Sequence, residues 1–455
     1  MITIVGGGIS GLALAYALMK KGFSDLTVLE ADRRPGGKVK TEKADGFQCE
    51  WGVNGFLDNA PKTLELAKEL SISPLRSSDA ARKRYIYING KLRLLPENPK
   101  AFLSSDILSL PGKLRIGMEP FIKPKMEDET LADFARRRLG KEAYEKLIDP
   151  MASGVFAGDP EKMSVASSFP KIKAIERKYG SLIKGMIKMG KEAKKAGKGP
   201  VGAGPGGTLT SFPSGMEEII LSLRGILGDK IRVRSRVLSL EKLERGFRIH
   251  LSEGTPIDTD AAVLACPAYE SAAILKDFDG EITSGLSNIE YPALSVISLG
   301  YKKAKISIPT DYFGFLVPAR ERRKILGTLF DSSIFPVRAP EGYLLLRIMV
   351  GGARASALAM KDDEVLLKIV MGELEEMTGL REEPDFARVF RHERAIPQYR
   401  LGHGEKLQKL GSALSKYPGL YLHGNSYKGI SFNDCIANSF VLADKMAGEL
   451  HGKNH

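Results

Sequence analysis

Three features of the 455-residue sequence predict a mixed α/β fold. A short β-branched strand runs directly into a glycine-rich turn and then a helix, the local order of a Rossmann-type unit. The chain is longer than one hydrophobic core usually organises, so two or three domains are expected. Its 48 glycines follow no strict period and therefore mark turns and close backbone approaches rather than a repeat. At 43% hydrophobic and 27% charged, the composition excludes collagen-like, coiled-coil and wholly disordered classes.

The first strand is Ile2-Thr-Ile-Val5, followed by Gly6-Gly7-Gly8-Ile9-Ser10-Gly11 and the helical run Leu12–Met19. A second strand, Leu26–Leu29, ends at Glu30, nineteen residues after Gly11, with Ala31 next. This is G-x-G-x-x-G in its strand–turn–helix context with the acidic residue at the expected distance. Gly6 makes the tight turn, Gly8 lets backbone N–H groups reach a pyrophosphate, and Gly11 allows close helix–strand packing. The helix N-terminus favours phosphate charge by up to ~2 kcal/mol, and Glu30 can accept from a ribose diol. The unit binds a dinucleotide. Arg33-Arg34-Pro35-Gly36-Gly37-Lys38 then adds a second glycine turn with cations near the diphosphate. An NAD domain would continue into further βα units. This chain passes instead to Phe47–Gly52, which favours FAD.

Far along the chain, Gly419-Leu-Tyr-Leu-His423-Gly424-Asn425 reads as a strand entering a turn. Gly429-Ile430-Ser431-Phe-Asn433-Asp434 and a helical run to Met446 follow. Ser431, Asn433 and Asp434 are candidate caps for a helix N-terminus able to stabilise negative charge on a reduced flavin.

Lys and Arg number 68 against 55 Asp and Glu, a formal charge of +13. Residues 171–198 alone carry a net +8, and Ile172, Ile175, Tyr179, Leu182, Ile183, Met186 and Ile187 recur among the charges at helical spacing. One basic amphipathic helix is expected there, ending at a flexible boundary near 198–207. It reads either as a solvated face or as an attachment to an anionic membrane surface, where each nearby cation contributes ~1 kcal/mol. Residues 95–125 mix prolines, apolar residues and lysines in a way that suits the same surface. No aromatic-interleaved basic sheet or finger accompanies these charges, so nucleic acid is not expected as a partner. Cys49, Cys266 and Cys435 form no C-x-x-C pair, which favours a reducing compartment. No charged-then-apolar leader precedes Ile2, and no apolar run reaches the ~18 residues of a membrane span. Of the six histidines, His392, His403 and His423 lie in motif-rich stretches but form no metal-ligand or nucleophile constellation. Cys435 reads as a small buried helix residue rather than a covalent flavin link.

Several further stretches are distinctive: Lys83-Arg84-Tyr85-Ile-Tyr, Gly154-Val-Phe-Ala-Gly158-Asp159-Pro, Tyr312-Phe313-Gly314-Phe315-Leu316-Val-Pro318 and Ile396-Pro397-Gln398-Tyr399-Arg-Leu-Gly-His403. With the flavin motifs, they resemble the amine oxidase-like superfamily of FAD enzymes, and within it the protoporphyrinogen oxidase family, over nearly the whole chain. The chain departs from the pattern at Lys38, where relatives often carry Arg, and at Val53, which interrupts a Gly-Pro-Asn.

The resemblance implies a discontinuous, non-covalent FAD-binding domain of residues 1–60, 206–285 and 412–455. It implies a mixed-sheet substrate domain of 61–94 and 286–411, and a helical membrane-facing domain of 95–205. The implied activity is six-electron oxidation of protoporphyrinogen IX to protoporphyrin IX in heme biosynthesis, in three flavin cycles, with O2 reduced to H2O2. Coproporphyrinogen III is the alternative substrate, and a non-catalytic flavin-containing porphyrin carrier is a rival of another class. A downstream heme-pathway enzyme is an implied partner, and the inner face of the cell membrane, on the cytoplasmic side, is the implied location. Arg84 matches the position that pairs with a substrate propionate, which an Arg fork suits. Phe313, Gly314, Leu316, Leu329, Met349 and Ile396 match pocket-lining positions, Gly154 matches a backbone contact, and Asn54 lies near the flavin–substrate junction. Cofactor contacts implied beyond the fingerprint are Arg34, Gly37, Lys38, Gly52, Val53, Asn54, Val237, Gly424, Asn425, Gly429, Ile430 and Ser431. No general base is assigned.

Overall fold

The computed structural model describes residues 1–195 and 207–451. The expected boundary at 198–207 lies almost wholly outside them. The strands that position the site are, in chain order, β1 (Ile2–Val5), β2 (Leu26–Leu29), β3 (Lys83–Ile88), β4 (Lys91–Leu94), β5 (Ile231–Arg232), β6 (Ala261–Leu264), β7 (Leu294–Lys302), β8 (Tyr312–Leu316), β9 (Gly327–Leu329), β10 (Tyr343–Gly351), β11 (Phe386–His392) and β12 (Leu420–Leu422).

β1 and β6 are buried at every residue, which is why they read as unbroken apolar runs: central parallel strands are covered on both faces. They form a five-stranded parallel sheet in the order β5-β2-β1-β6-β12, with Ile2 opposite both Leu26 and Ala261. Helix α1 (Ile9–Lys20) packs on one face through Leu12, Ala13, Leu14 and Ala15, all shielded from water. The long final helix (Phe432–His451) joins the same core through Ile436, Ala443 and Met446.

A second, seven-stranded sheet has the order β11-β7-β10-β9-β8-β3-β4. It is mixed, because β8 pairs parallel to β3 while its other neighbours are antiparallel. The helix Asp363–Thr378 covers one face, burying Leu366, Val370 and Leu374 against Leu346, Ile348 and Phe315. The opposite face looks toward the parallel-sheet unit and the helices of residues 99–195.

Those helices correct one expectation. The basic stretch after residue 170 is two helices, Pro170–Tyr179 and Leu182–Lys195, separated at Gly180. Gly180 takes the left-handed conformation (φ 69°) that ends the first helix, its N–H donating to Glu176 O at 2.8 Å. The second helix starts on a carboxylate supplied from elsewhere: Glu119 accepts from the Leu182 N–H (2.8 Å), the Ile183 N–H (3.2 Å) and Ser181 Oγ (2.5 Å). Nor is the whole run solvated. Lys173 and Glu176 are buried in a network with Arg137, Arg138, Glu119 and Glu129, in which the Arg138 guanidinium lies 2.7 Å from Glu176 and 3.0 Å from Glu119. Among the described residues no helix is long and apolar enough to cross a membrane.

Candidate active site

A groove of about 430 Å³ opens at the carboxyl ends of β1, β2 and β6. Gly6, Gly8, Ile9, Ser10, Glu30, Ala31, Gly37, Lys38, Val53, Val237, Gly424, Asn425 and Ile430 all line it. The first turn is built for close approach. Gly6 holds φ 110°, and a Cβ there would sit 2.8 Å from the Cys266 backbone nitrogen. Gly8 faces open space, so any side chain would enter the groove. Gly11 stands behind, where a Cβ would lie 2.0 Å from Gly6 O. The Glu30 carboxylate accepts the Gly7 and Asp32 N–H groups, each at 2.9 Å, which fixes it at the end of β2. Burial raises its pKa, while those backbone donors oppose the shift. Its remaining lone pairs can accept from a ribose.

The other expected cofactor residues act from behind the lining. Arg34 pairs with Glu217 at 3.1 Å and donates to Gly37 O at 2.9 Å, holding the second glycine turn. Gly52 gives room to Lys38, whose carbonyl oxygen would be 2.7 Å from a Cβ at that position. Gly429 (φ 71°) crosses Asp434, and Ser431 caps the final helix, with the Asp434 N–H donating to Ser431 Oγ at 3.1 Å and the Ser431 N–H to Asp434 Oδ2 at 3.3 Å. Asn433 does not cap. Its amide bonds Leu57 O and the Thr63 hydroxyl instead.

The expected substrate residues come from distant stretches and meet on one sheet face. Directly paired residues of neighbouring strands point the same way. The pairings Arg84–Gly314, Gly314–Leu329 and Leu329–Arg347 therefore make one rung across β3, β8, β9 and β10. Ile86, Leu316, Gly327 and Met349 make the next rung on the same face. Phe313 is the extra residue of a β-bulge, where the β8–β3 register shifts between Tyr312 and Gly314. The bulge re-aims its ring beneath Arg84, whose guanidinium carbon lies 4.5 Å from the ring centroid. Gly314 (φ 150°) leaves no room for a side chain, since a Cβ would be 2.2 Å from Thr328 O. Gly154 packs on Leu316, and Ile396 packs with Met349 and Ala395. Arg84 makes no ion pair among the described residues and stands exposed at the end of this apolar face.

Asn54 sits at the junction, but its amide is committed. It donates to Asp331 at 2.7 Å and accepts from Arg338 at 3.0 Å, all three being buried. Arg338 also donates to Asn54 O and Ser211 and lies 3.2 Å from Glu50. Asn54 is thus a strut between the two sheets.

Several residues escaped the sequence reading. Arg347 is buried and donates to Gly52 O, fixing the loop that carries Val53. Its signal was a lone cation within the apolar run of β10. Tyr291 ties the 424–430 loop down, its hydroxyl bonding Ser426 at 2.6 Å and accepting the Ala268 N–H at 3.1 Å. Tyr399 donates to Asn425 O at 2.5 Å and stacks on His403 (4.2 Å between centroids), which donates to Tyr427 O. His392 and His423 likewise bond Trp51 O and Ser439 Oγ. Among the described residues no acidic, His and Cys group is arranged to hold a metal.

The parallel sheet, its glycine cradle and the acid at the end of β2 define a dinucleotide-dependent oxidoreductase. The chain belongs to the flavin containing amine oxidoreductase family, whose model matches residues 9–440. It is 30% identical to the coproporphyrinogen III oxidase of Bacillus subtilis (strain 168), covering 96% of this chain and 95% of the relative. It is 33% identical to the chloroplastic protoporphyrinogen oxidase of Oryza sativa subsp. japonica, over 98% of this chain and 88% of that one. The crystal structure of a candidate protoporphyrinogen oxidase from Exiguobacterium sp. 255-15 superposes with a TM-score of 0.85 at 27% identity, covering 98% of both chains. The architecture is the mixed α/β fold of FAD-dependent oxidoreductases, and the cofactor is FAD.

Proposed function

We propose that this chain oxidises protoporphyrinogen IX to protoporphyrin IX, with O2 as the final acceptor. The observation that supports this reading is the two-rung face ending in Arg84, which makes no ion pair among the described residues. A porphyrinogen is large and apolar and bears propionates, so it needs such a wall and such an anchor. FAD held by the groove residues would supply the hydride acceptor for a methylene bridge of the substrate. Arg84 receives a propionate and sets the macrocycle's orientation. Leu316, Leu329 and Met349 exclude water from its faces, while Arg347 and the Asn54 strut fix the loop between sheet and groove.

Anaerobic mixing tests the reading. Protoporphyrinogen should bleach the flavin absorbance within the dead time of turnover, and an unchanged spectrum with every porphyrinogen would return the chain to a carrier role. Coproporphyrinogen III is the second reading, favoured by the likeness to the B. subtilis relative. It is the substrate if its kcat/KM exceeds that of protoporphyrinogen.

The helical region is the membrane-facing part in this proposal, placing the enzyme on the cytoplasmic side of the cell membrane, where the product passes to a downstream heme-pathway enzyme. Phe121 (81% exposed), Leu103 (66%) and Leu114 (63%) project from it among Lys100, Lys113 and Lys123. Such a mixture suits an anionic lipid surface. Co-sedimentation with vesicles should rise with anionic lipid and fall with salt. Indifference to both would remove the membrane from the proposal.

A further inference from the structure

We propose that Lys38 is the proton acceptor of the reaction, its amine taking a pyrrole N–H proton as the hydride leaves a methylene bridge of the porphyrinogen. This inference rests on the porphyrinogen reading above. Its geometry comes from three places. The backbone of Lys38 follows the Gly36–Gly37 turn and backs onto Gly52. Its side chain lines the cofactor groove. The amine reaches the far wall, donating to Arg394 O at 2.5 Å and to Ala395 O. Ala395 packs on Met349 and Ile396, so the nitrogen sits where the cofactor groove meets the apolar substrate face.

The electrostatic setting suits a base. Lys38 makes no ion pair among the described residues, and its amine lies 5.5 Å from the centroid of the Tyr291 ring. Loss of water pushes its pKa down to about 8, close to the range in which a general base works best. Burial pushes the Tyr291 phenol up to about 12 and holds the His392 imidazole below its ordinary value. Arg347 on β10 is a buried guanidinium that stays charged. The Arg394 guanidinium carbon lies 4.3 Å from the ring centroid of Tyr269, which stands edge-on to Tyr291.

The step balances. Over the three two-electron rounds the macrocycle loses three hydrides from methylene carbons and three protons, two from pyrrole nitrogens and one from the remaining methylene carbon; Lys38 serves the pyrrole protons. The hydride is received by the flavin, the proton by the neutral Lys38 amine, and the resulting ammonium returns its proton to solvent. Backbone carbonyls at Arg394 and Ala395 accept from the amine in either state, so the nitrogen is held in place while its charge changes.

The test is anaerobic, single-turnover bleaching of flavin-loaded enzyme by protoporphyrinogen between pH 6.5 and 9.5. The rate should climb with pH across this range as the amine loses its proton. Lys38→Arg keeps a cation but cannot accept a proton, so it should bleach about 10²–10⁴-fold more slowly with no such climb. In Lys38→Ala, added methylamine should restore rate. Competitive acetylation of the loaded enzyme, read peptide by peptide, should give the Lys38 amine a midpoint below the roughly 10.4 of exposed lysines. A wild-type rate flat in pH, a Lys38→Arg profile like wild type, or an ordinary lysine midpoint overturns the proposal while leaving the oxidase reading intact. No bleaching at all in wild type overturns both. If the variants fail to hold flavin, the wild-type pH profile and the acetylation midpoint decide.

Discussion

Arg84 and Gly314 occupy one rung, and they make opposite demands on a substitution. Arg84→Ala removes a charge-assisted contact worth ~1.5–3 kcal/mol, so KM for a porphyrinogen should rise about 10–100-fold with kcat little changed. A fall in kcat at unchanged KM would contradict the anchoring role. Gly314→Ala adds a Cβ that collides with Thr328 O, so β8 must shift off β9. A lowered melting temperature together with weaker substrate binding is the expected outcome. Legibility in the sequence followed distance along the chain. Gly6, Gly8, Gly11 and Glu30 could be read because turn, helix and second strand lie within thirty residues. The role of Asn54 could not, since its partners Asp331 and Arg338 lie 277 and 284 residues away.

At the level of elements, local periodicity marked the helical run after residue 170 but missed its division. Gly180 ends the first helix in the left-handed conformation. The acid that starts the following helix is Glu119, 63 residues upstream of Leu182, and no spacing rule reaches that far. Six charged side chains lock the region together, and Glu176 is central to them. Despite the opposing effect of burial, hydrogen bonds from Lys173, Arg137 and Arg138 hold its carboxyl down to about 2. A depressed carboxyl stabilises the fold fully above its unfolded pKa, near 4.3, and loses that contribution as pH falls toward 2. Glu176→Gln should therefore unfold more easily than wild type at pH 6, and urea midpoints should converge as pH drops to 2.5. Glu176→Ala leaves Arg138 short of a buried partner and should cost about 3–5 kcal/mol. An equal gap at both pH values would rule out an ionised Glu176 in the network.

Across the whole molecule, buried polar side chains tie distant stretches together, Asn54, Glu50 and Ser211 meeting Asp331 and Arg338. The helical region carries exposed apolar residues, Phe121, Leu103 and Leu114 among them. Phe121→Ser combined with Leu114→Ser should lower vesicle binding while leaving turnover of a detergent-dispersed porphyrinogen unchanged. A parallel loss of turnover would show that these residues support the site itself. The glycine turn and the 424–430 loop line the groove that would hold FAD, so loading it should raise the melting temperature with flavin concentration. A melting point indifferent to flavin would mean that these segments close without it.

The strand order of the parallel sheet also sets a timetable. β1 lies between β2 and β6, and β12 closes the edge beyond β6. During synthesis at roughly 5–20 residues per second, the glycine turn leaves the ribosome tens of seconds before residue 420 is made. Until then the nascent chain exposes a strand with only one neighbour. Cofactor capture is therefore an event that follows translation. A ribosome stalled before β12 should hold a chain that is protease-sensitive at its first helix and carries no flavin.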